Sequence, residues 1–193
     1  MYQALRCDAE KIARGAIAAV SPEAAVRRVL TGKTFSGRLY LVSVGKAGWK
    51  MARAAVSCLE QPLEQGIVVT KYGHVEHPIP GIICYEAGHP VPDENTFRAT
   101  QAVLDITAQV SPEDTVLFLL SGGGSALFEK PLVEGAELQA ITNRLLASGA
   151  DIVEINTIRK RLSAVKGGRF AQWCAPPMWR SLCFPIFWAT RRI

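Results

Sequence analysis

The chain contains 193 residues, of which 49% are apolar and 20% charged, a composition typical of a folded globular protein. Its net charge of +5 is uneven, because residues 169–193 hold four Arg and no acidic residue and the rest holds 18 basic and 17 acidic residues. A nucleic-acid-binding domain carries its basic face on its folded part, so we expect no nucleic-acid partner. Apolar stretches are too short or too interrupted to predict a membrane span.

Five Cys are scattered along the chain without a CxxC pair. This pattern favours reduced thiols over a disulfide framework or a zinc ribbon. Residues 1–14 are charged and lack the apolar block of a signal peptide. Together these features predict a cytoplasmic protein.

Hydrophobic periodicity predicts helices and short strands that alternate along most of the chain. Ser21, Pro22 and Glu23 form a typical helix start, with Ser21 as the N-cap. The predicted helices cover residues 3–20, 22–30, 49–59, 93–110, 134–147 and 151–165, and the predicted strands cover residues 39–44, 66–70, 82–85 and 115–120.

Strands that are apolar throughout and alternate with helices indicate a parallel sheet covered on both faces. We therefore predict an α/β fold, a three-layer Rossmann-like domain with a mostly parallel sheet. Ligands of such sheets bind beyond the carboxyl ends of the strands. The glycine-rich turns that follow Val44 and Leu120 are therefore the candidate sites.

The turn after Leu120 has the sequence Ser-Gly-Gly-Gly-Ser, from Ser121 to Ser125. Three successive Gly let the backbone bring its N–H groups close to an anion, and the two hydroxyls add donors. A helix beginning near Ser125 would direct its positive end to the same point. A tight turn without a ligand is the alternative, but one Gly would usually suffice for it. The motif favours binding of a phosphate or a carboxylate.

The turn after Val44 has the sequence Gly45-Lys46-Ala47-Gly48. Its Lys would place a point charge on a phosphate or a carboxylate. A solvated Lys beside a turn Gly fits the pattern equally well. The GxxxxGK[ST] spacing of a Walker A loop is absent.

The loop over residues 86–93 contains two Pro and a Gly that restrict its path around His89. Such stiffness suggests that the loop forms an edge of the site, although Asp93 fits equally well as a helix N-cap. His74 and His77 lie in another loop, and no neighbouring Asp or Cys completes a metal-ligand set with them.

Asn156, Arg159 and Lys160 lie three or four residues apart on a predicted helix, so they share one face. A solvated helix face is one interpretation. The absence of nearby acids fits an anionic ligand somewhat better. Gly167 is a good C-cap, which requires no function.

Four blocks together resemble a known family: residues 43–47 (SVGKA), 86–93 (EAGHPVPD), 120–127 (LSGGGSAL) and 156–169 (NTIRKRLSAVKGGR). They are similar to the class II glycerate kinases, the glycerate 2-kinase or MOFRL family, some of which are described as hydroxypyruvate reductases. The resemblance implies transfer of the ATP γ-phosphoryl group to D-glycerate, giving 2-phosphoglycerate, with Mg²⁺. It also implies a Rossmann-like N-terminal domain and a smaller second α/β domain, with the active site between them.

The resemblance also implies roles for individual residues. Lys46 would be catalytic or contact a phosphate. The cofactor-binding residues would be Gly45, Ser121, Gly122, Gly123, Gly124 and Ser125, and the substrate-binding residues would be His89, Asn156, Arg159 and Lys166. For the metal, Glu86, Asp93 and Asp114 are the candidate carboxylates, and no set of ligands is assigned.

The family match covers residues 1–170, and we interpret residues 171–193 as a tail without a helical or strand period. With a suitable choice of codons, a shifted reading frame from Leu182 gives Val-Phe-Ser-Asp-Ile-Leu-Gly-Asp-Pro, which resembles the block with which the family continues. The hypothesis is that a frameshift produced the tail. The second α/β domain would then be absent, and we expect little or no kinase activity from the chain alone.

Two other functions are compatible with these residues. One is an NAD(P)H-dependent hydroxypyruvate reductase, although no GxGxxG motif follows a strand. The other is a non-catalytic module that binds a nucleotide or a sugar acid.

Overall fold

A computed structural model describes residues 2–174 of the chain and the backbone of residues 178–183. Helices and strands alternate as the sequence predicts. The helices are α1 (Tyr2–Ala19), α2 (Pro22–Leu30), α3 (Gly48–Cys58), α4 (Glu94–Thr107), α5 (Gly124–Leu127), α6 (Gly135–Ala147), α7 (Ile152–Arg161) and α8 (Arg169–Trp173), and the strands are β1 (Leu39–Val44), β2 (Leu63–Lys71), β3 (Ile82–Ala87), β4 (Thr115–Leu120) and β5 (Met178–Cys183).

The strands form one sheet with the order β3-β2-β1-β4-β5, and every neighbouring pair is parallel. The chain leaves β1 towards β2 on one side and later returns to place β4 on the other side. The strand order therefore reverses between β1 and β4, which is where open parallel sheets bind ligands. Val44 pairs with Leu120, so the two predicted glycine-rich turns begin side by side.

The sheet separates two hydrophobic clusters, which confirms the three-layer α/β prediction. On one face, α2 and α3 cover Leu41, Val68 and Leu117. On the other face, Val42 and Phe118 belong to a cluster that also contains buried residues of α4, α5 and α8. Alternate residues of β1, β2 and β4 enter opposite clusters, which is why the central residues of these strands are mainly apolar.

The helix starts follow the predicted capping chemistry. The Ser21 side chain accepts a hydrogen bond from the Ala24 N–H group at the start of α2. Asp93 caps α4 in a capping box with Thr96. The prediction of Asp93 as a helix N-cap is therefore confirmed.

Some predicted boundaries are wrong. The strand predicted over 66–70 begins at Leu63, because its first residues pair with β1. The helix predicted over 151–165 ends at Arg161, because residues 162–164 pair with residues 130–132 through bonds such as Ala164 N to Lys130 O, 2.8 Å. The helix expected near Ser125 is present, but it has only four residues.

Helix α1 has an apolar face that makes no buried contact within the described part of the chain. Leu5, Ile12 and Ile17 are each more than half exposed. The amphipathic pattern predicted this helix correctly. None of the other described elements covers the face.

The chain beyond residue 170 contributes to the fold. Cys174, just after α8, is buried in the same cluster as Phe118. The sequence predicted no strand in the tail, yet the backbone of residues 178–183 pairs along the whole of β4. Pairing with β4, rather than a local hydrophobic pattern, defines this strand. The rest of the frameshift interpretation lies outside the described residues and stays a prediction, as does the domain boundary at residue 170.

No helix among the described residues is long and apolar enough to cross a bilayer.

An ion pair joins the amino ends of the two central strands. Asp114 precedes β4, and its carboxylate accepts hydrogen bonds from the N–H and the guanidinium of Arg38, which precedes β1. The same carboxylate accepts bonds from the N–H and hydroxyl of Ser111. The Arg38 guanidinium and these other donors hold the pKa of Asp114 well below its usual range.

We predict that Asp114→Asn lowers the melting temperature by several degrees at pH 7. The native carboxylate has a lower pKa than the unfolded one, so the stability it contributes is present above about pH 4 and is lost as the pH falls below that value. Thermal unfolding between pH 7 and pH 3 measures both effects. Glu113→Gln, which neutralises an exposed neighbour, is the control. Equal melting temperatures for the two variants at pH 7 would contradict the prediction.

Candidate functional site

The two glycine-rich turns bond directly to each other at the carboxyl ends of β1 and β4. The Lys46 N–H donates to the Gly122 carbonyl at 2.8 Å, and the Ala47 N–H donates to the Ser121 hydroxyl at 3.1 Å. The Ser121 N–H donates to Val44 O at 2.9 Å. Two motifs separated by more than seventy residues thus form one structural unit.

Gly45 makes this contact possible. A Cβ atom at this position would lie 2.2 Å from Ser121 Oγ and 2.6 Å from the Ser121 carbonyl oxygen, and the backbone has a φ of +119°. Any other residue would separate the turns and would also be strained. Gly45 therefore acts through the backbone geometry of the site.

The Ser121 hydroxyl takes part in the turn itself. It accepts a hydrogen bond from the Ala47 N–H and donates one to the Val44 carbonyl oxygen at 3.4 Å. The sequence predicts this hydroxyl as a donor to a ligand, whereas its hydrogen bonds in the structure hold the two turns together. Ser125 differs from it, because its side chain is exposed.

Backbone N–H groups of the Ser-Gly-Gly-Gly-Ser turn remain available. Within the described residues, no protein acceptor takes the N–H groups of Gly122, Gly123 or Ser125, whereas the Gly124 N–H bonds to Ser121 O. Helix α5 spans a single turn, so its dipole adds less than the sequence reasoning expected. The free amides are therefore the principal donors of this turn.

Lys46 and His89 border these amides. A methyl group on Gly123 would lie 2.9 Å from His89 Cδ2 and 3.2 Å from Lys46 Cγ, so both side chains lie against the glycine. The Lys46 side chain is exposed, and its ammonium makes no ion pair or hydrogen bond within the described residues. Burial, Lys46 and Lys71 lower the pKa of His89. A neutral imidazole therefore lies beside an unpaired cation.

The loop over residues 86–93 is held by its own carboxylates. Asp93 accepts from the Tyr72 hydroxyl at 2.6 Å, and its bonds to Tyr72, Thr96 and Gly88 lower its pKa despite its partial burial. Glu86 accepts from the N–H groups of His74 and Val75, both at 2.9 Å. These contacts fix the loop that carries His89.

The described residues do not provide a magnesium site. Glu86 and Asp93 anchor the loop, and Asp114 lies at the opposite end of the sheet. Within this part of the chain, no three Asp, Glu, His or Cys side chains form a group able to hold a metal ion. His74 Nδ1 lies 2.9 Å from Lys46 O, and His77 Nδ1 lies 3.1 Å from Pro78 O. Both rings therefore have structural contacts.

A cavity of about 370 Å³ lies on the other side of the glycine-rich turn. Its apolar wall includes Phe118 and Phe170, and its polar groups come from Ser125, Asn156, Lys160, Lys166 and neighbouring backbone. The predicted helix face therefore does meet the turn. Asn156 and Lys160 line the cavity, and their role in binding a ligand stays a prediction.

Arg159 and Lys166 have internal partners. Arg159 is 8% exposed, and its Nη2 donates to the Ser125 carbonyl at 2.9 Å. Lys166 pairs with Glu129, a buried carboxylate that the sequence reasoning missed. The available signal was a single acidic residue directly after the apolar run 126–128.

Comparison with known proteins connects this geometry to a family. Residues 8–184 match the family described as "Domain of unknown function (DUF4147)". The chain belongs to the DUF4147 family. The match extends beyond residue 170 and includes the residues of β5.

Characterised relatives agree with the resemblance to glycerate kinases. D-glycerate 2-kinase of Thermotoga maritima is 53% identical over 176 residues, which are 90% of this chain and 42% of that protein. Glycerate 2-kinase of Pyrococcus horikoshii is 44% identical over 149 residues, 75% of this chain and 33% of that protein. The DUF4147 chain therefore spans less than half the length of these relatives.

A solved structure gives the same result for the fold. The crystal structure of glycerate kinase from Thermotoga maritima aligns with a TM-score of 0.87 and 51% identity, covering 94% of this chain and 44% of that one. The DUF4147 chain therefore has the α/β fold of a glycerate kinase region.

We predict that Gly123→Ala weakens binding of inorganic pyrophosphate at least tenfold, because the added methyl group displaces His89 and Lys46 from the free amides. Gly149→Ala is the matched control, since it also has a positive φ (+74°) but has open space around it. Each substitution carries about 1–2 kcal/mol of backbone strain, so stability should fall similarly. Calorimetric titration measures binding, and equal affinities in the two variants would count against the site.

Proposed function

We propose that this chain supplies the phosphate-binding part of a D-glycerate 2-kinase, which transfers the γ-phosphoryl group of ATP to D-glycerate and gives 2-phosphoglycerate. One observation carries the proposal: the N–H groups of Gly122, Gly123 and Ser125, which have no protein acceptor among the described residues, lie beside the exposed Lys46 side chain. They stand at the ligand-binding edge of the sheet. The named activities of the relatives support the same reaction.

Phosphoryl transfer depends mainly on positioning and on neutralising negative charge. In our proposal, the amides of the Ser-Gly-Gly-Gly-Ser turn bind phosphate oxygens of ATP. Lys46 contacts the same phosphates and neutralises charge as it develops on the transferred group. Gly45, Ser121 and Gly124 hold the turn in position.

The substrate roles are assigned to groups on both sides of the turn. His89 has a lowered pKa and is neutral at pH 7, so it serves as a hydrogen-bonding partner of the glycerate hydroxyl groups. Asn156 and Lys166 line the cavity and bind the carboxylate of glycerate or a phosphate. Arg159 acts through the Ser125 carbonyl.

Magnesium, if the reaction uses it as the resemblance implies, is held by ligands outside the described residues, because their carboxylates do not fit the ion. The chain spans 42% of the Thermotoga relative. We therefore propose that efficient turnover requires a further region, equivalent to the part of these relatives that this chain does not match. A cytoplasmic location and a small-molecule substrate belong to the same proposal.

The hydroxypyruvate reductase alternative has less support, because the turn after β1 has no GxGxxG sequence. A non-catalytic module would bind its nucleotide or sugar acid through the same amides of the Ser-Gly-Gly-Gly-Ser turn. Binding of ATP without turnover distinguishes that module from the kinase.

We predict that the purified chain binds ATP and that Lys46→Ala lowers this affinity about tenfold or more. Lys50→Ala, which removes an exposed Lys of the neighbouring helix, is the matched control. Calorimetry measures binding, and a coupled assay with ATP, Mg²⁺ and D-glycerate measures turnover. The same assay on the chain continued in the shifted frame tests whether further residues restore activity.

Each outcome of these assays has a definite meaning. Turnover by the 193-residue chain, lost in Lys46→Ala, would place a complete site within it and contradict the required extension. Equal ATP affinity in the Lys46 and Lys50 variants would contradict the role of Lys46. Absence of a continuing reading frame in the gene would refute the frameshift hypothesis.

A further inference from the structure

Glu129 and Lys166 form a buried ion pair beneath the glycine-rich turn. Glu129 Oε2 accepts from Lys166 Nζ at 2.5 Å, and the two side chains are 1% and 13% exposed. Burying two charges carries a desolvation cost that their attraction often fails to exceed. A pair at this position therefore needs an explanation beyond stability.

The backbone around both residues is fixed. The Glu129 N–H donates to Thr100 Oγ1 at 3.0 Å, which ties it to α4. The Lys166 N–H donates to Ser163 Oγ at 3.3 Å, and Ala164 N bonds to Lys130 O. The pair therefore holds the ammonium at a defined point.

The Lys166 ammonium keeps one donor for a ligand. An ammonium has three N–H groups. One bonds to Glu129, and one donates to the Phe128 carbonyl at 2.8 Å. The third meets no acceptor among the described residues, and Lys166 lines the cavity together with Ser125 and Asn156.

The charges around the pair do not balance. Arg159 lies close enough to interact electrostatically with both Glu129 and Lys166. One carboxylate therefore faces two cations. Glu129 Oε1 and Arg159 Nε are buried and have no hydrogen-bond partner in the part of the chain that the structure describes. The surplus positive charge favours an anion in the adjoining cavity.

Burial and the nearby Arg159 both favour the neutral form of Lys166. Burial lowers the pKa of Lys166 most strongly, Arg159 lowers it further, and Glu129 raises it. Without the carboxylate, the ammonium would lose its proton at a lower pH. A neutral amine is a poor partner for an anion.

We propose that Glu129 is a positioning residue, which holds the Lys166 ammonium at the cavity wall so that its remaining N–H binds an anionic group. Glu129 does not touch the anion and acts through Lys166. The inference rests on the proposed function for the identity of the anion, which is the carboxylate of glycerate or a phosphate of ATP.

The test is a titration of the 193-residue chain with sulfate. Binding is measured from the changes in the amide NMR shifts of Ser125 and Gly167. Sulfate does not titrate in the range used. We expect Glu129→Gln to lower the sulfate affinity about tenfold near pH 9 and by less near pH 6, because without the carboxylate the Lys166 ammonium loses its proton at a lower pH and regains it as the pH falls. A purely structural role would not produce recovery at lower pH.

Two controls make the test specific. Glu137→Gln makes the same substitution at an exposed residue of α6, and should leave sulfate affinity unchanged. In a Lys166→Gln background, the additional Glu129→Gln change should have no further effect, because Glu129 acts through Lys166.

The inference is overturned if Glu129→Gln binds sulfate like the unmodified chain near pH 9, or if its loss persists unchanged near pH 6. An additive effect in the double variant also overturns it. Competition titrations with ATP and with D-glycerate then identify the natural anion. If neither competes with sulfate, the proposed function fails, while the comparison of the Glu129 variants still decides the positioning role.

Discussion

The close approach of β1 and β4 at their carboxyl ends is the constraint on which the rest of the site depends. Gly45 has no room for a side chain against Ser121, and the bonds from Lys46 N and Ala47 N cross directly to the other turn. Once these bonds form, the remaining amides of the glycine-rich turn have no partner within it. The same contact brings the Lys46 side chain against Gly123, where His89 also lies. A structural requirement thus creates the unsatisfied donors that an anion can use.

The sequence predicted the fold well where local pattern and tertiary structure agree. Strands β1 and β4 are buried on both faces, so their apolar runs identify them correctly. Prediction failed where a distant partner decides the structure. Residues 162–164 leave the helix to pair with residues 130–132, and the strand at residues 178–183 is defined by β4. No local periodicity contains this information.

The candidate site shows the same division. The general rule for parallel sheets was enough to select the turns after Val44 and Leu120, because strand order alone brings them together. The internal roles of Arg159 and Lys166 were beyond the same reasoning. Their partners, the Ser125 carbonyl and Glu129, lie 34 and 37 residues away in the chain. A cluster of basic residues therefore looks alike in sequence whether it meets solvent, a ligand or a buried carboxylate.

The hydrogen bond from Arg159 to the Ser125 carbonyl has a consequence for how this protein can be divided. It means that the turn is buttressed by a segment that follows it by more than thirty residues. A minimal fragment designed to retain the anion-binding amides therefore cannot stop after α5 or α6, even though β1 to β4 would be complete. In a nascent chain, the turn would acquire its final support only after the last turn of α7 had been synthesised.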